Sequence, residues 1–258
     1  MTDGGAINQW AARLSLVGCF VARCFVSAHG AGARGGVFRA RNYCIVSITN
    51  TAIAGCAITG AKVLWVNGQG GTVAGGVFSL HDGNHLTLVN SHISNCSAKV
   101  LSSAGTLYGG VVSAQQGSTV LLTNSSITSC FATAAVISGG VLQLSFGSSA
   151  SLIASSITGC AASGVDMPVV RADFAGGIHP IRVRRQHVRG GAILVESVST
   201  LVMNASMISH CSATVNNGTV EGGALCLVES GRATLTTTSV LQCVAMAEVG
   251  VAFGGGLF

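Results

Sequence analysis

Apolar and polar positions alternate along this chain inside a 22-residue frame that returns six times without a slip. Each frame opens with two glycines and closes with a cysteine, 21 residues after the first glycine. Counted from that glycine, apolar residues occupy position 3 and often position 5, then positions 11 and 13, and then position 18. Alternation with a period of two is typical of half-buried strands. The pattern therefore predicts three short strands in each frame and no helix.

The six regular frames begin at Gly35, Gly75, Gly109, Gly139, Gly190 and Gly222. A seventh frame, Gly4 to Cys24, is one residue shorter, and Gly254 opens an eighth. Three such strands cannot bury a face alone, whereas stacked frames satisfy one another's backbone groups. We therefore expect an all-β fold, a parallel β-helix of about seven to eight coils. It would form one repeat domain over residues 1–258, within a longer protein.

The chain between each cysteine and the next glycine pair varies from 8 to 29 residues, so insertions are expected to leave the coil at one corner. The longest insertion, 161–189, holds both prolines and five of the thirteen Lys and Arg residues. Three interpretations stay open for it. It is a basic loop that docks an acidic glycan or partner, a solvated excursion without a function, or a translated non-coding insertion.

Two rows of polar residues recur at fixed places in the frame. Ser or Thr at position 16 is expected to face inward, with each hydroxyl donating to the next hydroxyl in the stack. The cysteines at the end of the frame would stack with Cα atoms about 4.8 Å apart, a separation that permits disulfides. We favour the alternative that they are small buried thiols filling a corner. This row is Cys24, Cys56, Cys96, Cys130, Cys160, Cys211 and Cys243.

Composition excludes several classes of protein. With 49% apolar, 8% charged and only two proline residues, the chain is neither disordered nor collagen-like. No apolar run reaches the length of a transmembrane helix. The net charge of +5 is concentrated in the long insertion and aromatic residues make up only 5%, so we expect no nucleic-acid partner.

The motifs of the frame resemble those of a known repeat family. GGAI stands at Gly4–Ile7 and again at Gly190–Ile193, and Ser-x-Ile-x-x-Cys recurs near the end of the frames. These motifs are similar to the GGAI and FxxN repeats of the polymorphic outer membrane proteins of chlamydiae. More broadly, the chain resembles the right-handed parallel β-helices that include pectate lyases. The resemblance implies a right-handed coil and an elongated surface or secreted module used for adhesion.

Candidate chemistry is sparse. His81, Asp82 and His85 form the one cluster of metal-capable side chains at a turn, but a polar turn needs no ligand, and we expect neither a metal nor another cofactor. If the chain were a polysaccharide lyase or hydrolase, Glu196 with Glu229 or Glu221 would be its acidic pair, with His81 and Arg39 on the same outer face.

A glycosylation acceptor, Asn217, lies in a corner segment, provided that the chain passes through a eukaryotic secretory route. With only eight acidic residues in the chain, an acid-base mechanism lacks most of its parts. The expectation is therefore a non-catalytic structural or adhesive module at the cell surface or outside the cell. It would bind glycans or host or cell-surface proteins through its corner loops. The alternatives are a pectate-lyase-like enzyme and a mechanical spacer without a ligand.

Overall fold

The computed structural model describes residues 2–3, 6–28, 33–60, 72–101, 105–164 and 186–258, and these residues form strands, turns and bends without a helix. Every strand pairs in parallel with the equivalent strand one coil away, for example Phe78–His81 with Phe38–Arg41 on one side and with Val112–Gln115 on the other. The predicted all-β, parallel solenoid is confirmed. Within the described ranges no helix could cross a membrane.

Three sheets of seven strands each enclose the main core. Sheet 1 follows the glycine pairs and contains Ile7–Trp10, Phe38–Arg41, Phe78–His81, Val112–Gln115, Leu142–Leu144, Ile193–Val195 and Leu225–Leu227. Sheet 2 contains Arg13–Val17, Ile45–Thr49, His85–Val89, Thr119–Thr123, Ser149–Ile153, Thr200–Asn204 and Arg232–Thr236. Sheet 3 contains Phe20–Ala22, Ala52–Ala54, His92–Ser94, Ser126–Thr128, Ser156–Thr158, Met207–Ser209 and Ser239–Leu241.

A fourth sheet of 13 strands has two arms. The outgoing arm follows the cysteines and contains Phe25–Ala28, Ala57–Gly60, Ser97–Val100, Phe131–Ala134 and Ala161–Gly164. The returning arm precedes the glycines and contains Thr2–Asp3, Ala33–Arg34, Thr72–Ala74, Thr106–Tyr108, Val136–Ser138 and Gln186–Arg189. Two long strands, Ser212–Glu221 and Val244–Phe253, continue from one arm into the other. The two arms together are called the fin.

The fin corrects the prediction of three strands per coil. A described coil has five strands, because the segments on either side of the variable corner also pair with their neighbours. The expectation that 161–189 is a loop is wrong at both ends for the same reason, since Ala161–Gly164 and Gln186–Arg189 are strands. The rest of that insertion, including Pro168 and Pro180, lies outside the described residues.

Two apolar cores hold the coils together. The larger core lies inside sheets 1 to 3 and contains the inward rows of Phe, Leu, Ile and Val, including the stacked rings of Phe38 and Phe78 with centroids 4.9 Å apart. The smaller core lies between the arms of the fin and consists mainly of Ala and Val, with Ile58, Leu107 and Ile137 as its largest members. Small residues allow the two arms to approach each other closely.

The paired glycines make the sharp turn between the fin and sheet 1. The first glycine of each pair has a left-handed backbone, as at Gly109 with φ of 58°. The second glycine lies against the next coil, so that a Cβ atom on Gly110 would lie 2.0 Å from the carbonyl oxygen of Gly140. Only glycine permits both the turn and this contact.

The hydroxyl row faces inward as predicted, but its hydrogen bonds differ from the prediction. The hydroxyl of Ser125 donates to the carbonyl of Thr123 in its own coil at 2.9 Å and accepts the N–H of Ser91 from the preceding coil at 3.1 Å. Ser155 and Ser206 repeat this arrangement. A hydroxyl-to-hydroxyl chain would leave the corner N–H groups unsatisfied, whereas this pattern satisfies them.

The seven cysteines at the end of the frame stack as predicted, and all ten cysteines are free thiols. Each row thiol reaches the carbonyl oxygen two residues earlier, for example Cys130 Sγ to Thr128 O at 3.3 Å. Hydrogen bonds from Cys130 to Cys160 and Cys96, together with burial, raise the pKa of Cys130. A row of free thiols therefore fills this corner of the core.

Candidate functional site

A polar crease runs along the solenoid where the returning arm of the fin meets sheet 1. Its floor is the middle outward row of sheet 1: Arg39, Ser79, Ser113, Gln143, Leu194 and Cys226. One wall is the next outward row of the same sheet: Arg41, His81, Gln115, Ser145, Glu196 and Val228. The other wall is the last residue of each returning strand: Arg34, Ala74, Tyr108, Ser138, Arg189 and Glu221.

Electrostatic effects connect the two walls. Burial, followed by Arg41 on sheet 1, lowers the pKa of Arg34 on the fin. Burial raises the pKa of Glu196 on sheet 1, and the charge of Arg189 on the fin acts against that rise. Cys226 on the floor interacts electrostatically with Glu221 and Arg189 on one wall and with Glu196 on the other. Burial, followed by Glu221, raises the pKa of Cys226 to about 12. The crease is thus one continuous surface feature with two walls.

The floor corrects an expectation about exposure. The outward positions of sheet 1 were predicted to be an open face, but the floor residues are at most 5% exposed. Their burial follows from the tight Gly-Gly turn, which folds the returning arm over the start of each sheet 1 strand. The half-exposed wall residues are therefore the ones that a ligand can contact.

A hydrogen-bond network crosses three coils in the middle of the crease. Nε2 of Gln143 donates to Oε1 of Glu196 at 2.8 Å, and Oε1 of Gln143 accepts the hydroxyl of Ser113 at 3.0 Å. Gln115 reaches the same hydroxyl with its Nε2 at 3.3 Å. Because these partners fix each amide, the network presents Gln115 and Glu196 in defined positions along one wall.

Carboxylates concentrate toward the C-terminal end of the crease. Nε of Arg189 lies 3.1 Å from Oε2 of Glu221, which pairs opposite charges along the fin wall. Burial raises the pKa of Glu196, and the charge of Glu229 raises it further, against the hydrogen bond from Gln143. Glu229 itself is exposed on the turn after sheet 1, where it accepts the hydroxyl of Ser197 at 2.9 Å.

Arginines concentrate at the other end. Arg34, Arg39 and Arg41 come from one coil and occupy the fin wall, the floor and the sheet 1 wall in turn. Burial, followed by the neighbouring Arg41, lowers the pKa of both Arg34 and Arg39. Asp82 acts in the opposite direction on Arg34, and its Oδ1 lies 3.0 Å from Nδ1 of His81.

The four residues predicted for an enzyme do not form one site. Glu196 and Glu229 lie within electrostatic range of each other, as expected for adjacent coils. Arg39 is four coils from Glu196, which corresponds to ~19 Å at about 4.8 Å per coil. His81 lies three coils from Glu196, or ~14 Å. Similar outward positions in the frame therefore place residues along a line rather than around a point.

The weak candidate for a metal site is likewise not assembled. Among the described residues there is no group of three or more His, Cys, Asp or Glu side chains arranged to hold a metal ion. His81 lies beside Asp82, whereas Nδ1 of His85 contacts the hydroxyl of Thr119 in the next coil. A turn separates His81 from His85, so that His81 ends a strand of sheet 1 and His85 begins a strand of sheet 2.

The predicted acceptor Asn217 has an exposed side chain, but it lies within a strand at the outer edge of the fin instead of a loop. Its backbone N–H donates to Oε1 of Gln186, which is buried. This contact fixes the backbone there and leaves the carboxamide toward solvent.

Of the fin wall, the sequence pointed only to Glu221, as a neighbour of Glu196, whereas Arg34 and Tyr108 were missed. A signal was present, since an apolar residue stands two positions before the first glycine of most frames, as Val73, Leu107, Ile137, Val188 and Val220. Comparisons with protein-family models, with curated proteins and with solved structures gave no match.

Proposed function

We propose that this chain is a non-catalytic binding module, built as a right-handed β-helix, that holds an extended glycan along its crease. The carrying observation is the line of partly exposed polar side chains on the two walls, which flanks a buried and mainly polar floor along the coils. The repeat of about 4.8 Å per coil places equivalent side chains at even intervals along the axis. A linear polymer can meet this array with one group after another.

The chemistry of the walls favours a glycan over a peptide as the occupant. Amide, carboxylate and guanidinium groups line the walls, and apolar side chains are few there, which suits a hydroxyl-rich ligand better than an apolar anchor. A peptide that added itself to a sheet would need a free strand edge, but strands in the interior of the described stack are paired on both sides.

The resemblance to the polymorphic outer membrane protein repeats supports a location at the cell surface or outside the cell. There a module of this kind would act in adhesion. The corner loops were the expected binding elements, and the crease adds a surface that the repeat itself builds. Host or cell-surface glycoproteins are partners that would present such glycans.

Binding to a glycan array, followed by titration of the best ligand, tests the proposal. Gln115→Ala removes a half-exposed wall amide, and we expect it to weaken binding about threefold to tenfold, the equivalent of one hydrogen bond. Gln116→Ala is the matched control, because Gln116 is exposed on the adjacent turn outside the crease. An array without any bound glycan, or equal losses in the two variants, would contradict the proposal.

The raised pKa of Glu196 beside Glu229 favours one second candidate, a polysaccharide lyase or hydrolase. Incubation with neutral and uronic-acid polysaccharides, monitored for unsaturated products and new reducing ends, tests it. Products formed by the native chain but not by Glu196→Gln would show that the chain is an enzyme and would contradict a non-catalytic binding module. If the chain neither binds a glycan nor forms products, the mechanical spacer is the function that remains.

A further inference from the structure

The arginine end of the crease differs from the rest because one coil supplies a guanidinium to each of its three rows. Arg34 stands on the fin wall, Arg39 on the floor at 3% exposure and Arg41 on the opposite wall. Arg39 and Arg41 alternate with inward residues on one strand and so lie on the same outer face, and Arg41 acts electrostatically on both Arg34 and Arg39. No other described coil places more than one arginine in the crease.

Positive charge exceeds negative charge at this place. Asp82 acts on Arg34 in the opposite direction to Arg41, and it also lies beside His81. Arg34 and Arg41 thus bring two partly exposed guanidinium groups to opposite walls of the same coil. Nε of Arg41 is buried and has no hydrogen-bond partner among the described residues.

An aromatic side chain lies directly beside the arginines. Trp10 is opposite Arg41 in the neighbouring strand and is 64% exposed. On the other side of the arginine coil, Ser79 pairs with Arg39 and His81 pairs with Arg41. An exposed indole offers a flat apolar surface to a sugar ring, and the guanidinium groups offer donors to an anionic substituent on that ring.

We propose that this end of the crease binds a sulfate ester of a glycan, with Arg34 and Arg41 as its accessible ligands and Trp10 as the platform for the sugar. The inference deepens the proposed function and depends on it. Guanidinium groups bind oxyanions through paired N–H donors. Guanidinium donors on the two walls can approach an anion from two sides, which suits the three outward oxygens of a sulfate ester, whereas a carboxylate offers two oxygens in one plane.

The test measures binding of a sulfated oligosaccharide, its chemically desulfated counterpart that keeps its carboxylates, and inorganic sulfate. We expect binding of the sulfated form, weakened at about 0.15 M salt relative to low salt. Arg34→Gln and Arg41→Gln should each weaken it about tenfold or more, as expected for a charge-assisted hydrogen bond. Arg232→Gln is the matched control, since Arg232 is exposed on sheet 2 away from the crease.

Thermal unfolding of each variant separates loss of binding from loss of the fold, and Arg39 is left intact because it is buried. Equal affinity for the desulfated form, binding of inorganic sulfate alone, or undiminished binding by both arginine variants would each overturn the inference. Neutral glycans that bind through Gln115 without any preference for sulfate would leave the proposed function standing. Loss of both kinds of binding would remove both proposals.

Discussion

Replacing Gly110 with alanine tests whether the second glycine of each pair sets the distance between coils. A Cβ atom there would lie 2.0 Å from the carbonyl oxygen of Gly140 and 2.9 Å from Cβ of Ala132. Protein structures keep a Cβ at least 3.0 Å from such an atom, so the coils must separate by about 1 Å. The same corner carries hydrogen bonds from Val111 and Val112 to the carbonyl of Val141, both at 2.9 Å.

A separation of about 1 Å would lengthen those two bonds beyond hydrogen-bonding distance. Each buried group left unsatisfied costs about 1–3 kcal/mol, so we expect Gly110→Ala to lower the free energy of unfolding by about 3 kcal/mol or more. This is a large share of the stability of an ordinary domain. Urea unfolding measured by circular dichroism gives the value.

Gly117→Ala is the matched control in the same coil. Gly117 has a left-handed backbone with φ of 71°, but a Cβ there would meet nothing within 4 Å. It should therefore cost only the backbone penalty, about 1–2 kcal/mol. If Gly110→Ala destabilises the protein no more than Gly117→Ala does, close packing of the second glycine does not set the spacing between coils.

Three further predictions concern the polar rows, the crease and the thiols. Ser125→Ala removes the acceptor of the Ser91 N–H and should cost about 1–3 kcal/mol in urea unfolding, whereas Ser126→Ala, on the outer face, should change stability by less than about 0.5 kcal/mol. A similar loss in both variants would refute the inward role. Because burial raises the pKa of Glu196, the folded chain loses stability as the pH rises above the ordinary carboxyl value. Glu196→Gln should therefore raise the melting temperature at neutral pH and have little effect near pH ~3, below both pKa values; identical pH profiles would contradict this. Alkylation without a reductant should modify all ten cysteines after denaturation but spare the five buried members of the row, Cys56, Cys96, Cys130, Cys160 and Cys211, in the native chain, and a disulfide found by mass spectrometry would revive the stapled alternative.

Much of the repeat could be predicted from the sequence because a parallel stack places the same demand on every coil. The inward apolar row at Leu88, Leu122 and Leu152 and the thiol row at Cys96 and Cys130 recur at fixed positions for that reason. Left-handed turns such as those at Asn90 and Asn124 are also local, since asparagine tolerates that backbone. These features depend on the residue and its place in the frame alone.

The fin was missed because its strands carry a weak signal. Its core uses Ala98, Ala132 and Ala162 in place of large apolar residues, and a segment of variable length separates its arms along the chain. Pairing with neighbouring coils, rather than the propensity of Ala or Gly, stabilises these strands. Residues of the fin wall such as Arg34 and Tyr108 were therefore not predicted to lie beside the outer face of sheet 1.

The sequence by itself determined that the chain forms stacked coils, which strands of successive frames pair with each other, and which side chains fill the main core. Each of these follows from the period of the repeat. The tertiary structure decided which outward positions are open and which are covered. Gln143 and Arg39 have the alternation of surface residues, yet the returning arm buries them, because the Gly-Gly turn directs that arm back along sheet 1. The crease, with arginines at one end and carboxylates at the other, exists only after that turn brings two distant faces together.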